Sequence, residues 1–441
     1  MLASVGFAAE APTAGFNRDL GFSNAVGNTL EDFFSAAIEF SPRLKIAEEG
    51  LNIGAARKRA ATGHLLPQLN ANASVSENRR NALNQIDNFT GERYSLQLTQ
   101  VLFNWQAFSQ RAQATLIEDQ LEAEYYGELA DLLELVAESY FNVLQASDAL
   151  DSIQSELDAV TNQLDQIQSL YDRQLALITD LYRAQASLAA VESKQIQLET
   201  DLAQQRQALR SVSGIDIGDL FKLSDDAEVT PLQEDIDYWI QQARINSPRI
   251  QAREYARDAA RERVSERKGA YMPRVSLIVQ RQDANVGFDN VPVSKTDTTY
   301  LGLDISIPLY AGGSNRAAVS EASSQHMIAE NELQLTRLEA NERVRYAFLQ
   351  VQSSEARTEA ARKLAESTAI SSQAMQQGFE LGAVTSVEVL DALRDQFQAE
   401  RDLQRARYEH VKYLLMLKRE SGTLSADDLL EIGTWLEAPA N

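Results

Sequence analysis

The chain has 441 residues, with 41 Lys and Arg against 64 Asp and Glu, for a formal net charge of −23. An acidic surface of this size repels phosphate backbones, which excludes nucleic acid as a partner. The absence of cysteine excludes disulfides, thiolate metal sites and Cys nucleophiles. No run approaches the roughly 20 apolar residues that a membrane helix needs, but a transmembrane β-barrel, whose strands alternate, stays open.

Residues 1–28 come first. Met1–Ala9 is small and apolar, and Ala9-Glu10-Ala11 fits a small-x-small cleavage pattern with no Lys or Arg before it. The segment reads either as a signal-peptide remnant or as a leader without fixed structure. From Thr29 the chain is written twice. Ser41-Pro42-Arg43 recurs as Ser247-Pro248-Arg249, and Pro67 recurs at Pro273 with the same spacing. Tyr171-Asp172 and Ala184 recur as Phe379-Glu380 and Ala392 at a slightly longer spacing. The expected organisation is a first repeat at 29–214, an acidic linker at 215–231, a second repeat at 232–422 and a tail at 423–441.

Each repeat opens with two short helices. Asn28 and Thr29 are cap candidates for the first, and Ser41-Pro42 starts the second with proline in its first turn. Strict alternation follows at about 67–102 and 273–308. Leu69, Ala71, Ala73 and Val75 alternate with Asn70, Asn72, Ser74 and Ser76, and Leu301, Leu303, Ile305 and Ile307 alternate with Gly302, Asp304 and Ser306. A period of two predicts strands with one apolar and one polar face, each long enough to cross a bilayer when tilted. The polar segments 78–92 and 283–298 are expected to be turns between paired strands. Phe89, Tyr94, Phe103, Trp105, Tyr271, Tyr300 and Tyr310 near the strand ends are candidates for interfacial girdles. For Trp105 and Tyr310, packing at the strand-helix junction is preferred.

Two long hairpins are predicted, at about 104–213 and 312–421. Asn104 to Tyr171 runs without proline and with one glycine, a rod of about 100 Å at about 1.5 Å per residue. Leu150, Ile153, Leu157, Val160, Leu164, Ile167 and Tyr171 keep a 3-4 spacing, and Leu181, Ala184, Leu188 and Val191 resume it past a break near 172–180. The second repeat copies this with helices at about 314–379 and 386–420 around a break at Gly382. Four strands cannot close a barrel, and lipid forbids open sheet edges, so transmembrane strands require several chains to share one barrel. A non-membrane coiled-coil scaffold is the alternative, and it leaves the two-faced strands without a use.

Four motifs carry a resemblance. They are Ile305-Ser306-Ile307-Pro308-Leu309-Tyr310-Ala311-Gly312-Gly313, Ala137-Glu138-Ser139-Tyr140-Phe141-Asn142-Val143-Leu144, Leu177-Ile178-Thr179-Asp180 and Val387-Glu388-Val389-Leu390-Asp391-Ala392. In this order, within a duplicated chain, they resemble the TolC family of outer-membrane efflux and type I secretion ducts. The resemblance implies a mainly α fold with a transmembrane β part. In it, a homotrimeric α-helical coiled-coil barrel in the periplasm is joined to a shared twelve-stranded β-barrel in the outer-membrane lipid. It implies opening at the coiled-coil tips by a periplasmic adaptor (a membrane fusion protein) and an inner-membrane pump of the RND, ABC or MFS type. The duct itself is passive, in keeping with the lack of a GxxxxGK[ST] loop in the sequence.

Glu388 and Asp391, three apart on one helix face, read on spacing alone as a solvated face. The resemblance places an acidic pair here, facing the pore at its narrowest point. Rings of carboxylates favour cations, and crowded carboxylates resist ionising together, so a pH-dependent conductance is expected. Thr179 and Asp180 lie at the first tip, where the resemblance implies an acidic member of a latch. The basic member would fall at Val384, and the aromatic position is Phe379, which lacks a hydroxyl. Arg173, Arg183 or apolar packing then takes the place of a charged latch, and Asp180 reads equally well as a helix cap. Gly382 suits a turn with positive φ, whereas its counterpart Gln174 predicts a different turn at the first tip. Gly312 and Gly313, after Pro308, let the chain pass from strand to helix. His64, His326 and His410 are far apart and lack metal spacing, so no metal or cofactor is expected. No Ser/His/Asp order suggests a hydrolase, a coiled coil offers paired carboxylates no pocket, and the chain reads as not being an enzyme.

Overall fold

The computed structural model describes residues 26–82, 85–224, 232, 234–285 and 295–438. Most of the leader segment therefore lies outside the described residues. β1 (Val26–Gly27) leads into α1 (Leu30–Phe40). Thr29, rather than Asn28, holds the cap position. Its Oγ1 accepts from the Asp32 N–H at 3.2 Å, and the Asp32 carboxylate accepts from the Thr29 N–H at 3.0 Å. Ser41 then caps α2 (Pro42–Gly63), with Pro42 in the first turn, where its missing N–H costs nothing.

β2 (Gln68–Ala82) and β3 (Gln85–Phe103) form one long antiparallel ladder. The segment 78–92, expected as a loop, is mostly strand. Its register continues through Asn78 opposite Phe89 and out to Ala82 opposite Gln85. Polar side chains mark exposure, but the backbone groups still gain by pairing, and the ladder propagates as far as Ala82 opposite Gln85. α3 (Trp105–Asp172) is 68 residues long and starts at Asn104, whose side chain accepts from the Ala107 N–H. α4 (Ile178–Ser213) ends at Gly214 with φ of 77°.

β4 (Asp216–Ile217) and β5 (Lys222–Leu223) follow. The order of elements then repeats. α5 (Ile236–Asn246) and α6 (Pro248–Lys268) precede β6 (Arg274–Asn285) and β7 (Thr296–Ser306). α7 (Ser314–Glu380) and α8 (Ser386–Glu420) form the second long hairpin. α9 (Ala426–Gly433) and β8 (Leu436–Glu437) close the described chain. The second polar segment is likewise strand at its ends, with Asp283 opposite Asp297 and Ala284 opposite Thr296.

Four strands make one sheet in the order β2-β3-β6-β7, so the β3–β6 pairing joins the repeats and β2 and β7 are its edges. The register sorts the two faces. Leu69, Ala71 and Ala73 lie opposite Leu98, Leu96 and Tyr94, and Leu98 lies opposite Val279. Val279, Leu277 and Val275 lie opposite Leu301, Leu303 and Ile305. These residues share one apolar face. Asn70, Asn72, Ser74, Ser95, Gln97, Thr99, Gln280, Gly302 and Asp304 share the other. Away from the helices the apolar face gives way to Glu92, Arg281, Asp283 and Asp297, with Arg281 bonded to Asp297 at 2.8 Å. Tyr94 and Phe103 sit on the apolar face. Phe89 and Tyr300 do not, because Phe89 lies opposite Asn78 and Tyr300 opposite Gln280 on the polar face, which removes both from an outer girdle. The Tyr300 ring instead covers Gly302.

The main core forms where both repeats meet. Leu30, Phe33 and Ala37 of α1 pack on Val136, Tyr140, Phe141 and Leu144 of α3 and on Tyr408, Val411 and Leu415 of α8. Tyr140 is fully buried, and its hydroxyl donates to the backbone carbonyls of Phe221 at 2.9 Å and Asn28 at 3.2 Å. The segment between the repeats is held on both sides, β4 parallel to β1 and β5 antiparallel to β8. A second cluster sets Trp239, Ile240 and Ala243 of α5 on Val344, Ala347 and Val351 of α7.

Candidate gate at the coiled-coil tips

The first seam packs as its 3-4 spacing predicts. Ile153, Val160 and Ile167 of α3 are buried against Leu181, Ala184 and Val191 of α4, flanked by Leu150, Leu157, Leu164, Tyr171 and Leu188. Both hairpins close in the same way. The Leu175 N–H donates to the Leu170 carbonyl at 2.8 Å, and the Ala383 N–H donates to the Gly378 carbonyl at 2.8 Å. This is the six-to-one closure that follows a residue in the left-handed conformation. Gly382 takes φ of 73°, and Gln174 takes φ of 62° in spite of its side chain. The first tip therefore does not turn differently, and the bonds of the closure hold a residue where glycine is the easier occupant.

Glu388 caps its own helix. Its carboxylate accepts from the N–H and the hydroxyl of Thr385, both at 2.8 Å, and the Thr385 oxygen accepts from the Glu388 N–H at 3.4 Å. These hydrogen bonds hold the Glu388 carboxyl below its ordinary value of 4.5. Within one protomer this direction is opposite to that expected for crowded carboxylates. Asp391 is exposed and bonds Arg394 at 3.2 Å, while Arg394 also reaches Asp395 at 3.3 Å. Sequence reasoning passed over Arg394, although its spacing of three from Asp391 was visible.

Among the described residues, Asp180, Arg173 and Arg183 make no ion pair within the chain. Asp180 is not a cap either. The cap position is Leu177, which has no oxygen to offer, and Asp180 and Thr179 stand in the first turn of α4. The partners that a charged latch would use are apolar. Phe379 packs against the first-hairpin cluster and also against Val389, Leu393 and Phe397 of α8, together with Val384 and Met375. Leu390 of α8 is itself buried in the first-hairpin cluster. The two hairpins thus meet through apolar contacts at Leu390, with Phe379 packed alongside. Farther from the tips, Arg401 of α8 bonds Glu156 of α3 at 2.7 Å with only 11% and 5% of the side chains exposed.

At the other end of the long helices, Gly312 and Gly313 take φ of 59° and 85°. Both angles lie in the left-handed region, and Gly313 holds the cap position of α7. Pro308 lies just past β7, where no ladder needs its N–H. Trp105 packs at the junction as expected, its Nε1 donating to the Ser265 hydroxyl at 3.1 Å. Tyr310, by contrast, is 89% exposed on the single chain and Leu309 92%. No group of His, Cys, Asp and Glu fit to hold a metal occurs among the described residues.

The model of the family described as outer membrane efflux protein matches residues 34–215 and 239–423. Outer membrane protein TolC of Escherichia coli (strain K12) is 27% identical, over 96% of this chain and 88% of that one. Alkaline protease secretion protein AprF of Pseudomonas aeruginosa is 24% identical, over 91% of this chain and 85% of that one. Among solved structures, CusC superposes with a TM-score of 0.80 at 20% identity, covering 91% of this chain and 93% of that one, a likeness of fold.

Proposed function

The chain belongs to the outer membrane efflux protein family, and from that premise we propose that it is the exit duct of tripartite efflux and type I secretion machines. Its place is the outer membrane, and its family consists of channels rather than enzymes. Three copies close one twelve-stranded barrel in lipid, and their helices line a periplasmic tunnel. The observation that carries this reading is the four-stranded sheet with one apolar face and two edges, β2 and β7. A sheet in hydrocarbon must satisfy every backbone group, so these edges have to pair with other copies of the chain. The family match leaves the coiled-coil scaffold without support. α3 adds reach, since 68 residues span about 100 Å.

The duct is passive, and an inner-membrane pump of the RND, ABC or MFS type drives it through a periplasmic adaptor. The adaptor opens the tip by drawing the hairpins apart at Phe379. Glu388 and Asp391 form carboxylate rings at the narrowest point and select cations. The test is ion current in planar bilayers, wild type beside Glu388→Ala/Asp391→Ala. Cation-selective current that loses selectivity in the variant supports the rings. A silent wild type beside a conducting variant supports the same gate sealed at rest. Identical currents remove these two residues from the gate, and no current from either removes the channel reading.

A further inference from the structure

On α8, Val389, Leu390, Leu393 and Phe397 are buried against neighbouring helices, while Glu388, Asp391, Arg394 and Asp395 share the exposed face. That face does not carry free carboxylates. Glu388 is engaged by Thr385. Asp391 and Asp395 are both engaged by Arg394, whose two terminal nitrogens take one carboxylate each, at 3.2 Å and 3.3 Å. We propose that Arg394 sets the charge selectivity of the gate, acting as a resident counter-cation that holds Asp391 and Asp395 and lowers the negative charge presented to the pore. This rests on the reading that the exposed face of α8 lines the tip.

The residue type fits the task. Asp391 lies three residues before Arg394 and Asp395 one after, so the two carboxylates approach the guanidinium from different sides. A planar fork with several donors spans both. A permeating cation meets a face on which an immobile cation already occupies the acids. Arg394 is 63% exposed and absent from the buried clusters, so its replacement leaves those clusters intact.

The experiment is the reversal potential of the purified full-length protein in planar bilayers under a potassium chloride gradient. It compares wild type, Arg394→Gln, Arg394→Lys and Asp391→Asn. Loss of one positive charge per protomer at the constriction is expected to raise the potassium-to-chloride permeability ratio about twofold or more in Arg394→Gln. Arg394→Lys keeps the charge and is expected to stay near wild type, which separates charge from side-chain bulk. Asp391→Asn is expected to move the ratio the opposite way. An unchanged ratio in Arg394→Gln beside a lowered ratio in Asp391→Asn overturns the role of Arg394 and leaves the acidic rings standing. Unchanged ratios in both, or no current from any protein, overturn the ring reading and this one with it.

Discussion

The two hairpin tips have one backbone and two chemistries. Each closes through the same pair of main-chain bonds around a residue in the left-handed conformation. At the second tip that residue is Gly382, and the next helix opens with the reciprocal Thr385–Glu388 cap. At the first tip it is Gln174, and the next helix opens at Leu177 with no side-chain cap. Asp180 occupies the position of Glu388 but lacks the hydroxyl that would engage it. Duplication fixed the turn, and divergence then pinned one tip and left the other with exposed leucines at 175 and 177. If the gate has a fixed side and a side that yields, the difference in capping makes the first hairpin the one expected to give way.

The largest expected effect is on the joint between the hairpins, above the tips. Glu156→Ala leaves the Arg401 guanidinium buried without its partner, at a cost of about 3–5 kcal/mol. Amide exchange is expected to rise around Glu156 in α3 and around Arg401 in α8 together. Exchange that rises in α3 alone breaks the view that the pair ties the two hairpins. Phe379→Ala comes next. Truncating a partly buried aromatic that serves two clusters costs about 2 kcal/mol, somewhat less than a fully buried one. The expected readout is larger and more frequent openings in single-channel records. A closed state as stable as wild type removes Phe379 from the gate.

The third effect falls on the cap. Thr385→Ala removes the hydroxyl that both receives the Glu388 N–H and donates to its carboxylate, at a cost of about 1 kcal/mol. The capped carboxylate also predicts a pH dependence. Glu388 titrates below its ordinary 4.5 in the folded chain, so its contribution is complete above that value and fades as pH falls through the lower folded value. Acid titration of the amides near Ser386 should show this fading in wild type and more weakly in Thr385→Ala, which loses the hydroxyl but keeps the backbone N–H that bonds the Glu388 carboxylate.

Much of this was legible in the residues. The heptad seams, the strand alternation and the glycines at 312, 313 and 382 each encode one local geometry, and each formed as read. Parity alone would have moved Tyr300 to the polar face, since it neighbours Leu301 on the apolar one. Leu177 likewise announced that Asp180 had no cap to complete. What the chain could not announce is pairing across long separations. Glu156 with Arg401, and Leu390 with the first hairpin, bring together segments from different repeats, and no periodicity within either segment points to its partner. The polar ladder of β2 and β3 failed for a different reason. Backbone pairing there is indifferent to side-chain polarity, which is the signal that loops are read by.

The smallest effect runs the comparison in reverse and gives the first tip what the second has. Leu177→Thr places a hydroxyl at the cap position of α4, three residues before Asp180. The chain already uses this pairing with aspartate twice, in Thr29 with Asp32 and in Ser425 with Asp428. The backbone at Leu177 is extended, as a cap requires, with φ of −84° and ψ of 148°. Leu177 is 69% exposed, so little packing is lost. A gain of about 0.5–1 kcal/mol is expected, seen as slower amide exchange at Thr179 and Asp180. If the uncapped tip is the yielding side, the same substitution should also reduce opening frequency in single-channel records. Slower exchange with unchanged opening would keep the cap and refute the division of labour between the tips, because the first hairpin would then be stiffer without the gate being harder to open.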